Sequence, residues 1–353
     1  MNTLHIFNDP KFSEDYFEFL IEQGFDLSSH CLFHYRTRAR DSQRFPLKSS
    51  HSPSFFSLLP NLRLLPLLFK ADKIIIHCLA APALVFYLFL FPSLCRKCYW
   101  VIWGKDLYLF HFEKNKRLYH YLFEFFRKRV IFRIPYVVSN NEGDLAYASQ
   151  WYGLDAHAFP SFSYPSNLFK EPRYLPRLRT DKTLLLIGNS ADPSNHHARI
   201  FEILKAFSEK NVELVVPLAY GNQTYSKQVI KLGEKIFGRK FRPLLDLIPM
   251  DEYLALLERV DIGVFAHERQ QAVGTINTLV GFGKKVYLSP VSSVRDQMNA
   301  LDIVTYDLSA FDLEPIDPEI ARHNRNTAKD YFSRSSLASQ WREIFKHDPR
   351  QMS

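Results

Sequence analysis

The chain has 353 residues, 46% of them hydrophobic and 23% charged, which excludes a disordered segment and leaves room for two domains. Its formal net charge of +8 sits mostly in residues 1–170, with 20 Lys and Arg against 14 Asp and Glu, the remainder holding 25 against 23. Aromatic residues make up 15%, with 31 Phe and 18 Tyr, and a basic, aromatic half without a nucleic-acid module points to an anionic membrane surface and not to nucleic acid.

The chain opens "MNTLHIFND", a strand-like start with no basic stretch leading into an apolar one, so no signal peptide is expected. "KIIIHCL", "CYWVIW" and "YVVSN" read as further strands of the first half. The most apolar stretch, "LAAPALVFYLFLFPSLC" at 79–95, is broken by Pro82 and Pro92 and falls short of the roughly 20 residues a spanning helix needs. It predicts a buried helix with one face at a membrane interface. Cys31, Cys78, Cys95 and Cys98 are expected as reduced thiols; "CRKC" has the Cys-x-x-Cys spacing, but no second pair follows at metal-binding distance.

The segment 164–182, with three prolines, scattered charge and no periodicity, reads as a linker. Beyond it "TLLLIGN", "VELVVPL", "DIGVFAH", "KKVYLS" and "IVTYDL" read as strands. They alternate with helical patterns such as "ARIFEILKAFSEK", "YSKQVIKLGEKIF" and "MDEYLALLERV". Continuous apolar strands alternating with helices indicate parallel sheets covered on both faces. A last helix is expected over 330–348. The predicted fold is α/β: two Rossmann-like, doubly wound domains, at 1–168 and 183–328, facing a cleft. They are joined by a linker at 169–182, and a C-terminal helix at 329–353 packs back on the first domain. That arrangement is the GT-B architecture.

In open α/β sheets ligands sit outside the carboxyl ends of the strands, so the strand-to-loop junctions are the candidate sites. In "HERQQAVGT" (267–275) a strand end leads to Gly274 and Thr275 at a helix start, where free backbone N–H groups and the helix dipole favour an anion. Arg269 adds a fork suited to phosphate, and Glu268 can accept hydrogen bonds from sugar hydroxyls. An ordinary capped helix with a surface ion pair is the alternative. The turn after "TLLLI" carries neither the Gly-x-x-x-x-Gly-Lys of a P-loop nor the Gly-x-Gly-x-x-Gly of a dinucleotide site, which speaks against a Rossmann oxidoreductase.

"WVIWGKDLY", "LLLIGNSADPSNHH", "VELVVPLAYG", "MDEYLALLERVDIGVF" and "ERQQAVGT" together resemble glycosyltransferase family 56, the family of TDP-N-acetylfucosamine:lipid II N-acetylfucosaminyltransferases, also labelled 4-alpha-L-fucosyltransferases. The resemblance runs from about Trp100 to the helix after Thr275. The chain departs from the family pattern at Ala191 and Ala272, where the family carries Gly. The resemblance implies a hexosyltransferase that uses a nucleotide-diphosphate sugar, most simply a TDP-sugar. Its acceptor would be an undecaprenyl-diphosphate-linked saccharide, met by a peripheral enzyme at the cytoplasmic face of the bacterial inner membrane. No cofactor and no metal is expected.

On that reading Gly188 lets the donor approach the backbone, and Asn189 and Ser190 offer neutral donors to phosphate or sugar oxygens. Asp192, Ser194 or Asn195 would cap the following helix. Tyr220, Arg269, Gln270, Gly274 and Thr275 would line the donor site, and Pro249 and Met250 would hold the base. Trp103, Gly104, Asn141 and Glu142 would meet the acceptor. Asp106 is the first choice of general base, with Glu268 as a second catalytic carboxylate and Asp9 and His5 as runners-up. The rival readings are a GT-B enzyme with another nucleotide-sugar donor, such as a fucosyl or other deoxyhexosyl transfer, and a GT-B protein that binds nucleotide sugar without turnover.

Overall fold

A computed structural model describes residues 1–8, 10–35, 48–52, 61–111, 116–172 and 182–352. The chain divides into two compact units, Met1–Ser166 with Arg334–Ser353, and Asn167–Ser333.

The first unit runs β1 (Thr3–Phe7), α1 (Pro10–Glu22), β2 (His30–Tyr35), β3 (Lys48–Ser52), α2 (Leu64–Lys70), β4 (Lys73–His77), α3 (Pro82–Leu90), β5 (Cys98–Val101), α4 (Lys105–Tyr108), α5 (Leu118–Ile131), β6 (Tyr136–Val138), α6 (Glu142–Tyr152) and β7 (His157–Phe159). Its seven strands are all parallel, in the order β3-β2-β1-β4-β5-β6-β7. The central strands β1 and β4 are buried along their whole length, as strands covered on both faces are, and the buried set includes the polar Thr3, His5, Lys73 and His77. The sequence pattern missed β2, β3 and β7. In "HCLFHY" two histidines break the apolar run, β3 is a short polar edge strand, "KSSHS", and β7 is a three-residue edge strand that is only partly buried.

The stretch 79–95 forms α3 and a following 3₁₀ segment, with Leu84, Val85, Tyr87 and Leu88 buried. Among the described residues no helix is long and apolar enough to cross a membrane. Cys95 and Cys98 are buried thiols donating to the carbonyls of Leu88 and Leu94, and burial pushes the Cys95 thiol up to about 11. The pair is part of the core under α3.

The second unit runs β8 (Thr183–Ile187), α7 (His197–Leu204), β9 (Val212–Pro217), α8 (Gln223–Phe237), β10 (Phe241–Leu244), α9 (Met250–Arg259), β11 (Ile262–Phe265), α10 (Val273–Gly281), β12 (Lys285–Leu288), α11 (Ser293–Ala300), β13 (Tyr306–Asp307) and α12 (Pro318–Tyr331). Its six parallel strands lie in the order β10-β9-β8-β11-β12-β13. The strand missed here is β10, "FRPL", whose Pro243 is tolerated because the strand lies at the sheet edge. Residues 173–181 of the expected linker lie outside the described ones. Its first part is tied into this unit, with Phe169 N donating to Phe332 O at 2.9 Å.

The late helix expected over 330–348 is α13 (Arg334–Lys346), preceded by a separate helix, α12. The chain breaks after α12, at Phe332 and Ser333, and resumes as α13. The break is also where the chain passes from the second unit to the first. Within the first unit α13 is held by Trp341, which is fully buried and donates from Nε1 to Ser163 O at 3.0 Å. Buried Lys73 reaches the Ile344 and Phe345 carbonyls at the α13 C-terminus, the end where a helix favours a cation.

Candidate functional site

In each sheet the strand order turns back once, between β1 and β4 and between β8 and β11. Ligands of doubly wound sheets bind outside the carboxyl ends of the strands at that switch point.

In the second unit the loop after β8 opens at Gly188, whose φ of +63° is left-handed. A Cβ there would meet Asn195 Oδ1 at 2.8 Å and His197 Nε2 at 3.0 Å. Gly188 N still donates to Val264 O at 2.9 Å, so the loop leaves the sheet at the switch point itself. Buried Asn195 then organises the turn from inside, accepting from Asn189 N and donating to the carbonyls of Ser190 and Asp192. Ser190 is buried, its Oγ accepts from Asn195 Nδ2 at 3.3 Å and its side chain also pairs with Tyr220. Asp192 caps the short 3₁₀ turn Pro193–Asn195 by accepting from Ser194 N at 2.9 Å, whereas α7 begins at His196 without a side-chain cap.

Three loops meet above these strand ends. Ala191 N donates to Tyr220 O at 2.8 Å and Asn222 N to Ala191 O at 2.9 Å, joining the β8 and β9 loops. From the β11 side Arg269 Nη2 donates to Asp192 Oδ2 and to Ser194 Oγ, both at 3.2 Å. Ser194 Oγ lies 2.6 Å from Gln271 Oε1, Gln271 Nε2 donates to Asn189 Oδ1 at 2.9 Å, and Asn189 Nδ2 donates to Tyr220 OH at 3.1 Å. The result is a polar circuit across the switch point. Its Arg is mostly buried while Asp192 and Tyr220 remain substantially exposed.

Beside that circuit α10 starts at Ala272, with φ +57° and no side-chain cap. An L residue in the left-handed region costs about 1–2 kcal/mol, which is a physical reason for glycine at this position. Gly274 and Thr275 lie in the first turn of α10. Thr275 Oγ1 is 3.1 Å from Tyr253 OH, which ties that turn to α9, whose own start carries Pro249 and the exposed Met250. Gln270 is half-buried, and its Oε1 is buried without a protein partner. Glu268 is half-buried, with its carbonyl accepting from Ser293 N at 3.2 Å. His267, at the strand end, is fully buried, and burial brings its pKa down to about 3, so it is a neutral packing residue at physiological pH. Asp192, Ser194, Gln271 and Tyr253 were not singled out as donor-site residues from the sequence. Their place follows from pairing between loops, which no local pattern announces.

In the first unit the outcome differs. Asp106 is fully buried in α4. Its Oδ2 accepts from Leu79 N at 2.7 Å and Trp100 Nε1 at 2.6 Å, and its Oδ1 accepts from Trp103 N at 3.0 Å. A carboxylate committed to three buried donors anchors the β4 and β5 loop ends, which corrects its expected role as general base. Asn141 is likewise buried and caps α6 by accepting from Asp144 N at 3.1 Å; only its neighbour Glu142 is exposed. Gly104, at φ +73°, starts α4, and the half-buried Trp103 donates from Nε1 to Tyr164 OH at 2.6 Å. His5 is sealed in the core, and Asp9 lies outside the described residues. Among the described residues no group of three or more His, Cys, Asp or Glu side chains is placed to hold a metal ion.

Two doubly wound units of this kind make up the GT-B fold, and solved structures share it. A glycosyltransferase from Rickettsia africae is 14% identical with a TM-score of 0.67, covering 100% of this chain and 99% of its own. HepE of Anabaena in complex with UDP and glucose is 12% identical with a TM-score of 0.67, covering 98% and 99%. The E. coli trehalose-6-phosphate structure bound with UDP-2-fluoro glucose is 10% identical with a TM-score of 0.65, covering 100% of both chains.

The sequence narrows the class. Residues 70–345 match the family described as 4-alpha-L-fucosyltransferase glycosyl transferase group 56, and the chain belongs to that family. It is a glycosyltransferase.

Proposed function

We propose that the enzyme moves a deoxyamino sugar of the N-acetylfucosamine type from a TDP-sugar to an undecaprenyl-diphosphate-linked saccharide. The reaction would take place at the cytoplasmic face of the bacterial inner membrane, on an anionic surface, in assembly of an enterobacterial common antigen-like polysaccharide. The observation that carries the donor half of this reading is Arg269, held at the switch point three residues before the uncapped start of α10. A guanidinium fork and free helix N–H groups stabilise the charge that develops on a departing diphosphate. That chemistry needs no cofactor, and none is proposed.

The remaining roles follow from position. Asn189, Tyr220 and Gln270 border the same circuit and would contact phosphate or sugar oxygens. Pro249 and Met250, joined to it through Tyr253 and Thr275, would hold the base. Glu268 keeps the candidate role of catalytic carboxylate, since Asp106 is committed to the core. The acceptor would be met by Trp103 and Glu142 of the first unit.

A second reading keeps the site and changes the nucleotide. Similar folds were solved with UDP, UDP-glucose or UDP-2-fluoro glucose, and the chain departs from the family at Ala191 and Ala272. Thermal-shift titrations with TDP, UDP, GDP, CDP and NAD separate the two. Stabilisation by TDP above the others is expected. Arg269→Ala should weaken that binding about tenfold or more, as loss of charge-assisted hydrogen bonds worth roughly 1.5–3 kcal/mol implies. A preference for UDP or GDP would replace the donor, and equal binding by the variant would remove the diphosphate from Arg269. Turnover with a lipid-linked acceptor distinguishes the enzyme from a protein that only binds nucleotide sugar.

A further inference from the structure

We infer that the outward face of α5 is the surface that seats the first unit on an anionic lipid bilayer. The inference deepens the membrane part of the function proposed above and rests on it.

Helix α5 is built inside out. Leu118, Leu122, Phe125, Arg129 and Phe132 recur at spacings of four, three, four and three residues, one line along a helix. Apolar spacing of that kind ordinarily marks the stripe facing the core. Here the line is exposed, Leu118 at 74% and Phe132 at 66%, and Tyr119, Tyr121, Leu122 and Phe125 are exposed with it. The residues turned inward are Glu124, Arg127, Val130 and Ile131. Arg127 is fully buried; its Nε donates to Glu124 Oε2 at 2.8 Å, and its other nitrogens reach Tyr152 OH and Asp106 O. A buried ion pair of this kind is costly to place and strongly resists rotation of the helix, so the apolar line is held outward.

The charge pattern selects the occupant. Glu124 is the sole acid between Lys116 and Ile134, and it is turned inward and paired. The exposed charges on this stretch, Arg117, Lys128, Arg129 and Arg133, are all positive. Of "RKRV" at 127–130, therefore, Arg127 belongs to the core and only Lys128 and Arg129 can meet lipid phosphate. Helix α3 packs beside α5 through Phe86 and Phe89 against Phe126 and ends in the exposed Leu90 and Phe91. Aromatic and aliphatic side chains flanked by Lys and Arg, with no acid among them, match the headgroup region and upper acyl chains of an anionic bilayer. With 14 residues α5 lies on such a surface and does not span it.

The test is co-sedimentation of the full chain with phosphatidylglycerol-containing vesicles and with phosphatidylcholine vesicles, at low and high salt. The wild type should bind the anionic vesicles and keep part of that binding at high salt, because apolar insertion is not screened. The pair Leu122→Ser and Phe125→Ser should bind about tenfold more weakly, given the apolar area withdrawn from the interface. Lys128→Gln with Arg129→Gln should abolish the preference for the anionic lipid. All four Trp, at 100, 103, 151 and 341, lie in the first unit, so an unchanged Trp emission spectrum certifies that its fold survives in each variant. If the wild type ignores both vesicles, the membrane reading fails together with the inference. Undiminished binding by the Leu122/Phe125 variant overturns the assignment to α5 alone. A wild-type dimer in sedimentation velocity that the same variant dissociates would give the face to a second copy of the chain.

Discussion

The two switch points share a topology and are furnished in opposite ways. In the second unit the loops after β8, β9 and β11 are joined by partly exposed polar side chains, Asn189, Tyr220, Asp192, Arg269 and Gln271. In the first unit the loops after β4 and β5 are joined from within, by buried Asp106, and a line of rings runs from there through the buried sheet. Trp103 Nε1 donates to Tyr164 OH at 2.6 Å, and Tyr164 OH pairs with His77 Nδ1 at 2.5 Å. His77 Nε2 pairs in turn with His5 Nδ1 at 3.2 Å, and His5 Nε2 with His30 Nδ1 at 2.9 Å, so His5 and His77 each use both ring nitrogens, one as donor and one as acceptor. Contacts that water can replace suit a loop that must admit an anion. Contacts sealed in the core suit one that must hold its shape.

Acid should break this comparison most strongly. Burial lowers the pKa of His5 and His77 well below the ordinary value and that of His30 to about 4. In the second unit His197 falls to about 4 and His267 to about 3. These imidazoles are neutral in the fold and take up protons once unfolded. Their stabilisation is therefore complete above an unfolded pKa near 6.5 and is lost as pH falls from there toward about 4. The slope is about 1.4 kcal/mol per pH unit for each His. In the first unit a proton on His5 or His77, whose ring nitrogens are both paired within the line, also sets two donors against each other. Burial of Lys73, whose pKa falls to about 7, adds a loss of stability as pH falls from its unfolded value near 10.5 to about 7. Trp emission, which reports the first unit alone, should change at a higher pH than nucleotide-induced stabilisation of the second. Simultaneous loss would mean that the histidine line carries no special weight.

Asp106→Ala comes next. Three buried donors would be left unsatisfied, at roughly 1–3 kcal/mol each, so urea unfolding should show at least about 3 kcal/mol lost, with Asp106→Asn milder because an amide oxygen remains. A fully stable Asp106→Asn protein that binds nucleotide but does not turn over would return Asp106 to the role of base.

Legibility in the sequence divides along the same line as burial. The apolar strands TLHIF, KIIIH, TLLLI and IGVF are readable because both their faces are covered. The short edge strands β3, β7 and β10 are not, because an edge strand needs less apolar continuity. Helix α5 escapes pattern reading for a different reason. Its apolar line faces outward, and the pairing of Glu124 with Arg127 that orients it depends on Tyr152 and the Asp106 carbonyl, which are distant in sequence. That Arg269, Gly274 and Thr275 lie at the junction of a strand end and a helix start was legible. Ser190 and Asn141 were read as outward-facing because nothing local distinguishes a polar residue that bonds ligand from one that braces its own loop.

The smallest expected effect bears most directly on the donor site. Asp192 is a carboxylate 3.2 Å from the Arg269 guanidinium proposed to hold a diphosphate, so an incoming anion must compete with it. Asp192→Asn keeps an oxygen to accept from Ser194 N and Ser194 Oγ, as Asp192 Oδ1 does now, but presents an amide where Arg269 donates. Exposed ion pairs contribute about 0.2–1 kcal/mol, so stability should hardly move. Removing the competing charge should tighten nucleotide-diphosphate binding by up to about fivefold, the same energy expressed as affinity. Arg269→Ala and Asp192→Asn then shift binding in opposite directions, which isothermal titration with the same nucleotide would resolve. If both weaken it, the ion pair acts as one brace across the β8 and β11 loops, and the diphosphate must be held by the helix start at Gly274 and Thr275 instead.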